Sequence, residues 1–581
     1  MRPRENAYSS AMSRMRRTFI VVAVFSAVVN VLMLTGPMFM LQVYDRVLSS
    51  GSVATLQGLF VIVVVLYGFL GLYDFLRTRL LSRATIRLDQ AVGRDVFRAW
   101  MRSGLAGSSD FTRPLNDLAI LRGFLSSPAM LGLFDAPWIP FYLAVVWLVH
   151  PWLGMLALAG VGVVVSLALL NQATTRRHFA RAMSMDASES FFVEQARRTA
   201  DAILPLGMAD RVMGRWQAMH AQGLATSQVG SDRAEGFTAG SKAFRLLLQS
   251  ALLGLGGYLA LKQEISPGMI IAASIISGRA LAPVDQVIGQ WRNLVRAREA
   301  HKRLKQMFAD LPAPSQTVNL PDPQGQLLVR NLTKYAPNQK NTADAPPILD
   351  EVTFGLQPGD AVGVIGPSAS GKSTLARLLT GAWAPDSGEV RLDGATLDQW
   401  PPEALGRHIG YLPQNLELLA GTIRDNIARF DPDTQDEDVI AAAKLAGVHD
   451  MILGLPDGYA TQLGFEADGL SGGQIQRIGL ARAVYGIPKY VVLDEPNSNL
   501  DAAGDDALSY AIMSLREAGS TVVVMAHRPS AIAAVNKVLV LHGGQVAEFG
   551  PKDDVLQRMS RPQAKKPAPE PAKAAAKGVQ K

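Results

Sequence analysis

The sequence predicts a multidomain membrane protein in which an all-α domain of six transmembrane helices is fused to an α/β domain that contains a glycine-rich loop. Three observations lead to this fold class. Residues 1–290 contain six long apolar stretches. Residues 361–379 combine an apolar run, a glycine-rich loop and a helix-like run, and residues 327–556 alternate short β-rich runs with helical ones. A chain of 581 residues is long enough for two or three domains.

The apolar stretches are long enough to cross a bilayer, since about 20 helical residues span its hydrocarbon core. The predicted spans are residues 19–41, 54–73, 131–149, 152–171, 244–262 and 268–290. The basic segment at residues 1–18 makes a cleavable signal peptide the alternative for the first span. The apolar run that follows lacks an evident small-residue cleavage site, which favours an uncleaved helix.

Arginine distribution predicts the orientation of these spans. The loops after the second and fourth spans are long and rich in arginine, whereas the other three loops are short and carry few basic residues. Basic residues stay on the cytoplasmic side of a membrane, so both termini are expected inside. The basic loops also have helical periodicity and few breakers, which predicts cytoplasmic extensions of the membrane helices rather than unstructured tethers. A proline-rich linker is expected at residues 312–326, and a disordered Ala/Pro/Lys-rich tail at residues 557–581.

Composition narrows the possible functions. The chain has no cysteine, which excludes disulfides, cysteine-ligated zinc and thiol catalysis. The net charge of +7 would fit nucleic acid, but the arginines flank apolar segments. The predicted surroundings are therefore membrane lipid, with no nucleic-acid partner. Two ionisable residues fall inside predicted spans, Asp135 near one end and Arg279 near the middle, and an aqueous path is one hypothesis for them. The alternative is that the span boundaries are shifted and both residues are interfacial.

The strongest single motif is a phosphate-binding loop of the form G-x-x-x-x-G-K-[ST]. Its glycines let backbone N–H groups turn inward, and the helix that follows directs its positive end at the phosphates. Lys372 would reach the β- and γ-phosphates, and the Ser373 hydroxyl would hold Mg²⁺. The predicted ATP-binding residues of this loop are Gly366, Pro367, Ser368, Ala369, Ser370, Gly371, Lys372, Ser373 and Thr374.

An apolar run that ends in two carboxylates, Asp494 and Glu495, follows later in the chain. A buried strand can place Asp494 beside Mg²⁺ and Glu495 beside the water that attacks the γ-phosphorus. A strand that ends in Asp-Glu is weak evidence by itself.

The order of the motifs is more specific than any one of them. The phosphate loop, Gln414, a Leu-Ser-Gly-Gly-Gln segment, the Asp-Glu pair and His527 together resemble the ATPase domain of ATP-binding cassette (ABC) transporters over residues 327–556. The resemblance implies adenine stacking on Tyr335, a γ-phosphate contact from His527, and Ser373, Gln414 and Asp494 around Mg²⁺. It also implies catalytic roles for Glu495, His527 and Lys372. The implied signature, which contacts ATP bound to the opposite protomer, is Leu470, Ser471, Gly472, Gly473 and Gln474, and Asp501 belongs to the implied dimer loop.

Three shorter motifs, at residues 38–47, 278–283 and 494–501, resemble type I secretion ATPases of the PrtD kind. That resemblance implies a protein of the bacterial inner membrane that exports a protein substrate with a C-terminal signal. The ABC transporter resemblance implies two ATPase domains and two sets of six spans, which predicts a homodimer, with a heterodimer of this chain and a paralogue as the alternative. The implied partners are a periplasmic adaptor and an outer-membrane duct, and the implied cofactors are ATP and Mg²⁺. Two alternatives stay open at this point: a lipid or drug flippase on the same fold, and a membrane ATPase that regulates a partner without transport.

Overall fold

The computed structural model describes residues 7–105, 114–310, 320–336, 346–464, 469–526 and 532–560. It divides into two compact units, one of Met1–Gly104 with Ser108–Pro312 and one of Leu105–Gly107 with Ala313–Lys581. The first is the membrane unit and the second is the nucleotide unit.

The membrane unit is helical in its described residues. Its helices are α1 (Ala7–Leu32), α2 (Thr35–Gln42), α3 (Leu48–Ser50), α4 (Val53–Leu105), α5 (Pro114–Leu125), α6 (Pro128–Asp135), α7 (Ile139–Val149), α8 (Pro151–Arg198), α9 (Ala200–Ile203), α10 (Ala209–Leu261), α11 (Pro267–Gly289) and α12 (Trp291–Asp310). Within the described ranges, six helical segments are long and apolar enough to cross a membrane. This agrees with the predicted six-helix fold.

Three of these helices run far beyond the predicted spans, because the arginine-rich segments next to them continue the same helix. They are α4, α8 and α10. Local signals set the starts of two spans: α8 starts at Pro151 and α11 at Pro267, positions where proline's missing N–H costs nothing. The helices approach closely at glycine, since a Cβ on Gly160 would lie 2.2 Å from Leu248 of α10.

Two predicted spans are less regular than expected. A turn separates α1 from α2, and a π-helical segment, Val43–Val47, follows α2. The predicted third span is divided into α6, a 3₁₀ turn at Ala136–Trp138 and α7. Pro137 and Pro140 explain this break, because each lacks the N–H that would continue the α-helical ladder.

A buried polar network joins four helices of the membrane unit. Arg77 of α4 donates to Asp135 of α6 at 2.8 Å and to Ser26 of α1 at 3.0 Å. Asn30 of α1 donates to the same Asp135 oxygen at 2.7 Å and accepts the Tyr142 hydroxyl of α7 at 2.9 Å. Asp135 is therefore a paired, buried carboxylate, whereas Arg279 is exposed on α11. A pathway role for either residue stays a prediction.

The nucleotide unit combines strands and helices. Its strands are β1 (Leu327–Lys334), β2 (Leu349–Leu356), β3 (Ala361–Ile365), β4 (Ser387–Leu392), β5 (Ala395–Thr396), β6 (Ile409–Leu412), β7 (Gly421–Thr422), β8 (Gln462–Leu463), β9 (Tyr490–Asp494), β10 (Thr521–Met525), β11 (Lys537–His542) and β12 (Gln545–Pro551). Its helices are α13 (Lys372–Leu379), α14 (Pro402–His408), α15 (Ile423–Ile427), α16 (Asp436–Leu445), α17 (His449–Leu453), α18 (Gly472–Val484), α19 (Ala502–Glu517) and α20 (Lys552–Ser560).

A six-stranded sheet forms the centre of this unit, in the order β12-β11-β3-β10-β9-β6. All neighbouring pairs are parallel except β11 with β12. Strands β9 and β10 are buried along their whole length, which explains why they are continuous apolar runs rather than alternating ones. This confirms the predicted α/β class. A second, antiparallel sheet, β2-β1-β4-β5, was not predicted.

The parallel strands bring several predicted residues to one edge of the central sheet. The phosphate loop follows β3, Gln414 follows β6, and Asp494 and Glu495 lie at the end of β9. Carboxyl ends of parallel strands are where α/β sheets bind ligands. The fold therefore assembles the candidate site from segments distant in sequence.

Candidate ATP-binding site

The phosphate loop connects β3 to α13 with a backbone that depends on its glycines. Gly371 has φ +99°, and a Cβ there would lie 2.7 Å from Leu349. A Cβ on Gly366 would lie 2.1 Å from the carbonyl oxygen of Leu541, which is backbone and has little room to move. Ala369 also has a positive φ, +65°. These constraints produce a tight loop at the start of α13, where N–H groups without helical partners suit an anion.

Lys372 lies across this loop and is largely buried. Its ammonium group donates to the carbonyl oxygens of Gly366 and Pro367, both at 2.9 Å. Burial lowers the pKa of Lys372, although the carboxylates of Glu495 and Asp494 partly oppose this shift. A cation held by neutral carbonyls, with two carboxylates nearby, can reorient toward a phosphate without breaking a salt bridge.

The acidic side of the site faces Ser373, the first hydroxyl of α13. The Ser373 hydroxyl lies 3.3 Å from Asp494 Oδ1 and 3.4 Å from Gln414 Oε1, within donating distance of both. The Gln414 amide donates to Glu495 Oε2 at 3.0 Å. Burial raises the pKa of Asp494; the Ser373 hydrogen bond opposes this, and the nearby Glu495 charge adds to it. The site thus collects oxygen ligands and negative charge beside the phosphate loop.

This donor set fits a hard divalent cation. Mg²⁺ prefers oxygen ligands and is usually bound through one or two carboxylates plus phosphate oxygens and water. Ser373, Gln414 and Asp494 supply three such oxygens. The described part of the chain has no group of three or more His, Cys, Asp or Glu that could bind a metal. A mixed hydroxyl, amide and carboxylate set therefore agrees better with Mg²⁺ than with a transition metal.

Glu495 has an unusual backbone conformation for a residue with a side chain, with φ +51°. Its N–H donates to the Met525 carbonyl at 3.1 Å, and its own carbonyl accepts from Ser498 N–H at 3.2 Å. Strained backbone of this kind persists only when the surroundings fix it, and it is concentrated at functional sites. The bonds to β10 and to the following turn fix the direction of the Glu495 side chain.

The predicted signature is the N-terminus of α18. Ser471 caps this helix by accepting from the Gln474 N–H, while the Gln474 side chain accepts from the Ser471 N–H at 2.7 Å. Gly473 lies against the loop between β9 and α19, since a Cβ on Gly473 would be 2.8 Å from the Asn499 carbonyl oxygen. Leu470 precedes the cap and packs partly against the core. This arrangement exposes a second helix N-terminus suited to an anion.

Three other predicted residues have different settings. Tyr335 follows β1, and its N–H donates to Asp386 at 3.0 Å; Asp386 also pairs with Lys334 at 3.3 Å. Asp501 caps α19 by accepting from Gly504 N–H at 2.9 Å. His527 lies outside the described residues.

Sequence reasoning missed Gln476, which is buried two residues after the signature and donates to the carbonyls of Glu495 and Pro496. The only signal for it was a polar residue on the buried face of a predicted helix.

Comparison with known proteins identifies the family of the chain. A family model described as "ABC transporter" matches residues 349–498. The chain is 44% identical over 557 residues to "Type I secretion system ATP-binding protein PrsD" of Rhizobium meliloti, an alignment that covers 96% of this chain and 95% of that protein. The chain belongs to the ABC transporter family, in its type I secretion group.

More distant relatives agree with this assignment. The exporter is 29% identical over 560 residues to "Exotoxin translocation ATP-binding protein PaxB" of Pasteurella aerogenes, which covers 94% of this chain and 77% of that one. Its fold is similar to the solved structure titled "Structure of a bacterial Atm1-family ABC exporter with ATP bound", with a TM-score of 0.79, 22% identity, and coverage of 94% and 97% of the two chains. The chain is thus a multi-pass membrane protein that binds ATP and couples its hydrolysis to export.

Proposed function

We propose that this exporter is the inner-membrane ATPase of a type I secretion system and that its cargo is a protein. In this proposal the exporter is a homodimer with both termini in the cytoplasm. A periplasmic adaptor and an outer-membrane duct continue the route to the outside, and the cargo carries a C-terminal secretion signal.

The observation that carries this proposal is the extent of the similarity to PrsD. It covers 96% of the chain and so includes the membrane unit as well as the nucleotide unit. ATPase domains are similar across transporters of very different cargo, whereas membrane helices are where cargo is handled. Similarity in both units therefore supports a shared class of cargo.

Within the nucleotide unit we assign roles from the contacts already described and, for Tyr335 and His527, from the resemblance to ABC transporters. Glu495 is the general base that orients water toward the γ-phosphorus, and Lys372 and His527 neutralise phosphate charge. Ser373, Gln414 and Asp494 hold Mg²⁺, which supplies further charge neutralisation when bound. The remaining residues of the phosphate loop, from Gly366 to Thr374, hold the phosphates, and Tyr335 stacks on the adenine.

The signature supports the dimer. Ser471–Gly473 lie at the start of α18, which is a different helix from α13, the helix that follows the phosphate loop. Their N–H groups suit a second anion. In a head-to-tail dimer the signature of one protomer completes the ATP site of the other, and Asp501 lies in the loop that crosses between them.

ATPase activity in lipid nanodiscs tests the cargo class. An unfolded polypeptide with a C-terminal secretion signal is titrated in, and a panel of lipids and hydrophobic drugs is titrated in parallel. The expected result is a saturable change in turnover with the polypeptide alone. The matched control is the same polypeptide without its C-terminal segment. A response only to lipids or drugs would contradict protein export and indicate a flippase, with the ATP site unchanged.

A further inference from the structure

Gln476 is the one side chain in the described residues that connects the signature helix directly to the backbone of Glu495. It lies on the buried face of α18 and is 3% exposed. Its amide nitrogen donates to the Pro496 carbonyl at 2.9 Å and to the Glu495 carbonyl at 3.4 Å. An amide NH₂ has two hydrogens, so both bonds can form at once.

The two ends of this connection have different tasks. Ser471 caps the helix that carries Gln476, Gly472 and Gly473 begin it, and Gly473 lies about one turn before Gln476. At the other end, the Glu495–Pro496 peptide sets the direction of the Glu495 carboxylate, which contacts Gln414 at 3.0 Å. Because an α-helix is stiff over one turn, a shift of the signature moves the Gln476 amide with it.

The Glu495 peptide is well suited to respond to such a shift. Its left-handed φ of +51° is strained for glutamate, and the described bonds to its backbone are those of the N–H to Met525 and of the carbonyl from Ser498 and Gln476. Gln476 is the only one of these partners that belongs to α18. Loss of its bond would leave the Glu495 carbonyl, among the described residues, with only Ser498 of the same loop, so the peptide would no longer follow a shift of α18.

We propose that Gln476 is a positioning residue that makes hydrolysis at one ATP depend on the ATP at the other site. The signature of a protomer contacts the partner's ATP, and Gln476 carries the position of that signature to the protomer's own Glu495. The inference rests on the proposed dimer and on the proposed role of Glu495. It adds a physical connection between the two sites that passes through one amide group.

The first test is steady-state kinetics of Gln476→Met, an unbranched replacement that removes the donor. Misplacing a catalytic group by about 1 Å can cost about 100-fold in rate, so kcat should fall by about that factor. KM for ATP should stay within about twofold, because phosphate loop and signature are intact. The Hill coefficient, which is limited by the number of coupled sites, should fall toward one. A changed KM with an unchanged kcat, or full wild-type kinetics, would overturn the proposal.

Two controls separate this effect from general damage. Gln462→Met makes the same substitution at an exposed position and should leave kcat and the Hill coefficient unchanged. Gln476→Leu removes the same donor with another shape and should reproduce the kcat loss. Thermal unfolding of each variant identifies any that are not folded.

Mixed dimers with two affinity tags then decide which site Gln476 serves. The reference dimer has Glu495→Gln in one protomer only, so one intact carboxylate remains. Adding Gln476→Met to the protomer with the intact Glu495 should slow single-turnover hydrolysis by about 100-fold. Adding it to the protomer that already carries Glu495→Gln should largely preserve it. The reverse pattern would place the effect on the partner's ATP and refute the inference. No hydrolysis in the reference dimer would instead count against the proposed two-site arrangement. The role of Gln476 would then be decided by the steady-state kinetics of the Gln476→Met homodimer.

Discussion

The membrane unit and the nucleotide unit treat charged side chains in opposite ways. Arg77 in the membrane unit is neutralised by Asp74 and Asp135, both at 2.8 Å, and its side chain is only 6% exposed. Lys372 in the nucleotide unit is equally buried, but it contacts backbone carbonyls and a serine. Arg77 is held in fixed ion pairs, whereas Lys372 has no ion pair among its described contacts and can bind an anionic ligand. Burial of a charge therefore does not by itself indicate function; the identity of its partners does.

The largest effect should follow from Glu495→Gln, which tests the reactive side of this comparison. General-base catalysis contributes typically about 10²- to 10⁴-fold, so turnover should fall within that range. ATP binding and thermal stability should be almost unchanged, since glutamine keeps the size and can still contact Gln414. Turnover is measured by phosphate release in nanodiscs and binding by a fluorescent nucleotide. Hydrolysis at the wild-type rate would remove Glu495 from the assigned role.

Breaking the Arg77–Asp135 pair should lower the stability of the membrane unit rather than the rate of ATP turnover. Asp135→Ala leaves the buried Arg77 with Ser26 and with one carboxylate, the half-exposed Asp74. Loss of one member of a buried ion pair costs about 3–5 kcal/mol. Asp89→Ala is the control: its pair with Arg122 is at 3.4 Å, with side chains 34% and 48% exposed, and pairs that are this open to water contribute at most about 1 kcal/mol.

A double variant sharpens the test of this pair. Arg77→Met combined with Asp135→Leu removes both charges and should recover much of the stability lost in Asp135→Ala, as seen for buried pairs replaced by apolar residues. Thermal unfolding in nanodiscs measures all four proteins. If Asp135→Ala is as stable as the wild type, the pair does not stabilise the fold, and a pathway role for Asp135 becomes the better hypothesis.

How much of the molecule could be predicted depends on whether a feature is contained in one short segment or joins residues distant in sequence. The phosphate loop, the signature and the Asp-Glu pair are contiguous motifs whose chemistry is visible in the residues, and apolar length predicted the six spans. The Arg77–Asp135 pair joins residues 58 positions apart, and nothing in either local sequence specifies the other. Gln476 was missed for a related reason: its meaning depends on a carbonyl 20 residues away. The break at Ala136–Trp138 could have been predicted from its prolines.

Arg429 shows a third way to bury a charge, with neither a carboxylate nor a ligand. Its guanidinium donates to five backbone carbonyls, those of Gly406, Ile409, Arg482, Ala483 and Tyr485, at 2.7–3.5 Å. Burial lowers its pKa to about 10, with the nearby Arg482 charge adding to the shift. Three of these carbonyls lie at the end of α18, where the helix dipole favours a cation.

Arg429→Met should destabilise the nucleotide unit by about 1–2 kcal/mol, because partly buried carbonyls lose their donors. Arg429→Lys should recover little, since an ammonium group has only three donors and no planar fork. Arg424→Met, which removes an exposed pair with Asp436, is the control and should change stability little. Scanning calorimetry of the full chain measures the three variants. Equal melting temperatures for Arg429→Met and Arg424→Met would show that this carbonyl cluster does not stabilise the fold.

The smallest expected effect concerns Asp360, at the edge of the central sheet opposite the ATP site. Burial opposes ionisation of Asp360, but hydrogen bonds from Lys537, the Gln357 N–H and Asn536 outweigh it and lower its pKa below the ordinary value of 3.8. The 2.7 Å bond from Lys537 is the shortest of the three. A carboxylate whose pKa is lowered by folding stabilises the folded state above its unfolded pKa, and this stabilisation is lost as the pH falls through the folded value.

Asp360→Asn should therefore lower stability by about 1 kcal/mol at pH 7, the usual contribution of a hydrogen-bonded group. The deficit should persist down to about pH 5 and narrow below about pH 4, as the wild-type carboxylate becomes protonated. In a Lys537→Met background the Asp360→Asn deficit should be smaller and should stop narrowing at a higher pH, because the folded-state pKa of Asp360 then lies closer to its unfolded value. ATP turnover should be unchanged in both variants, since β3 and β11 present their amino ends here and the phosphate loop lies at the opposite end of β3. Urea unfolding of the full chain at several pH values provides the measurement. A deficit that does not vary with pH would mean that the contact acts through shape rather than through the charge of Asp360.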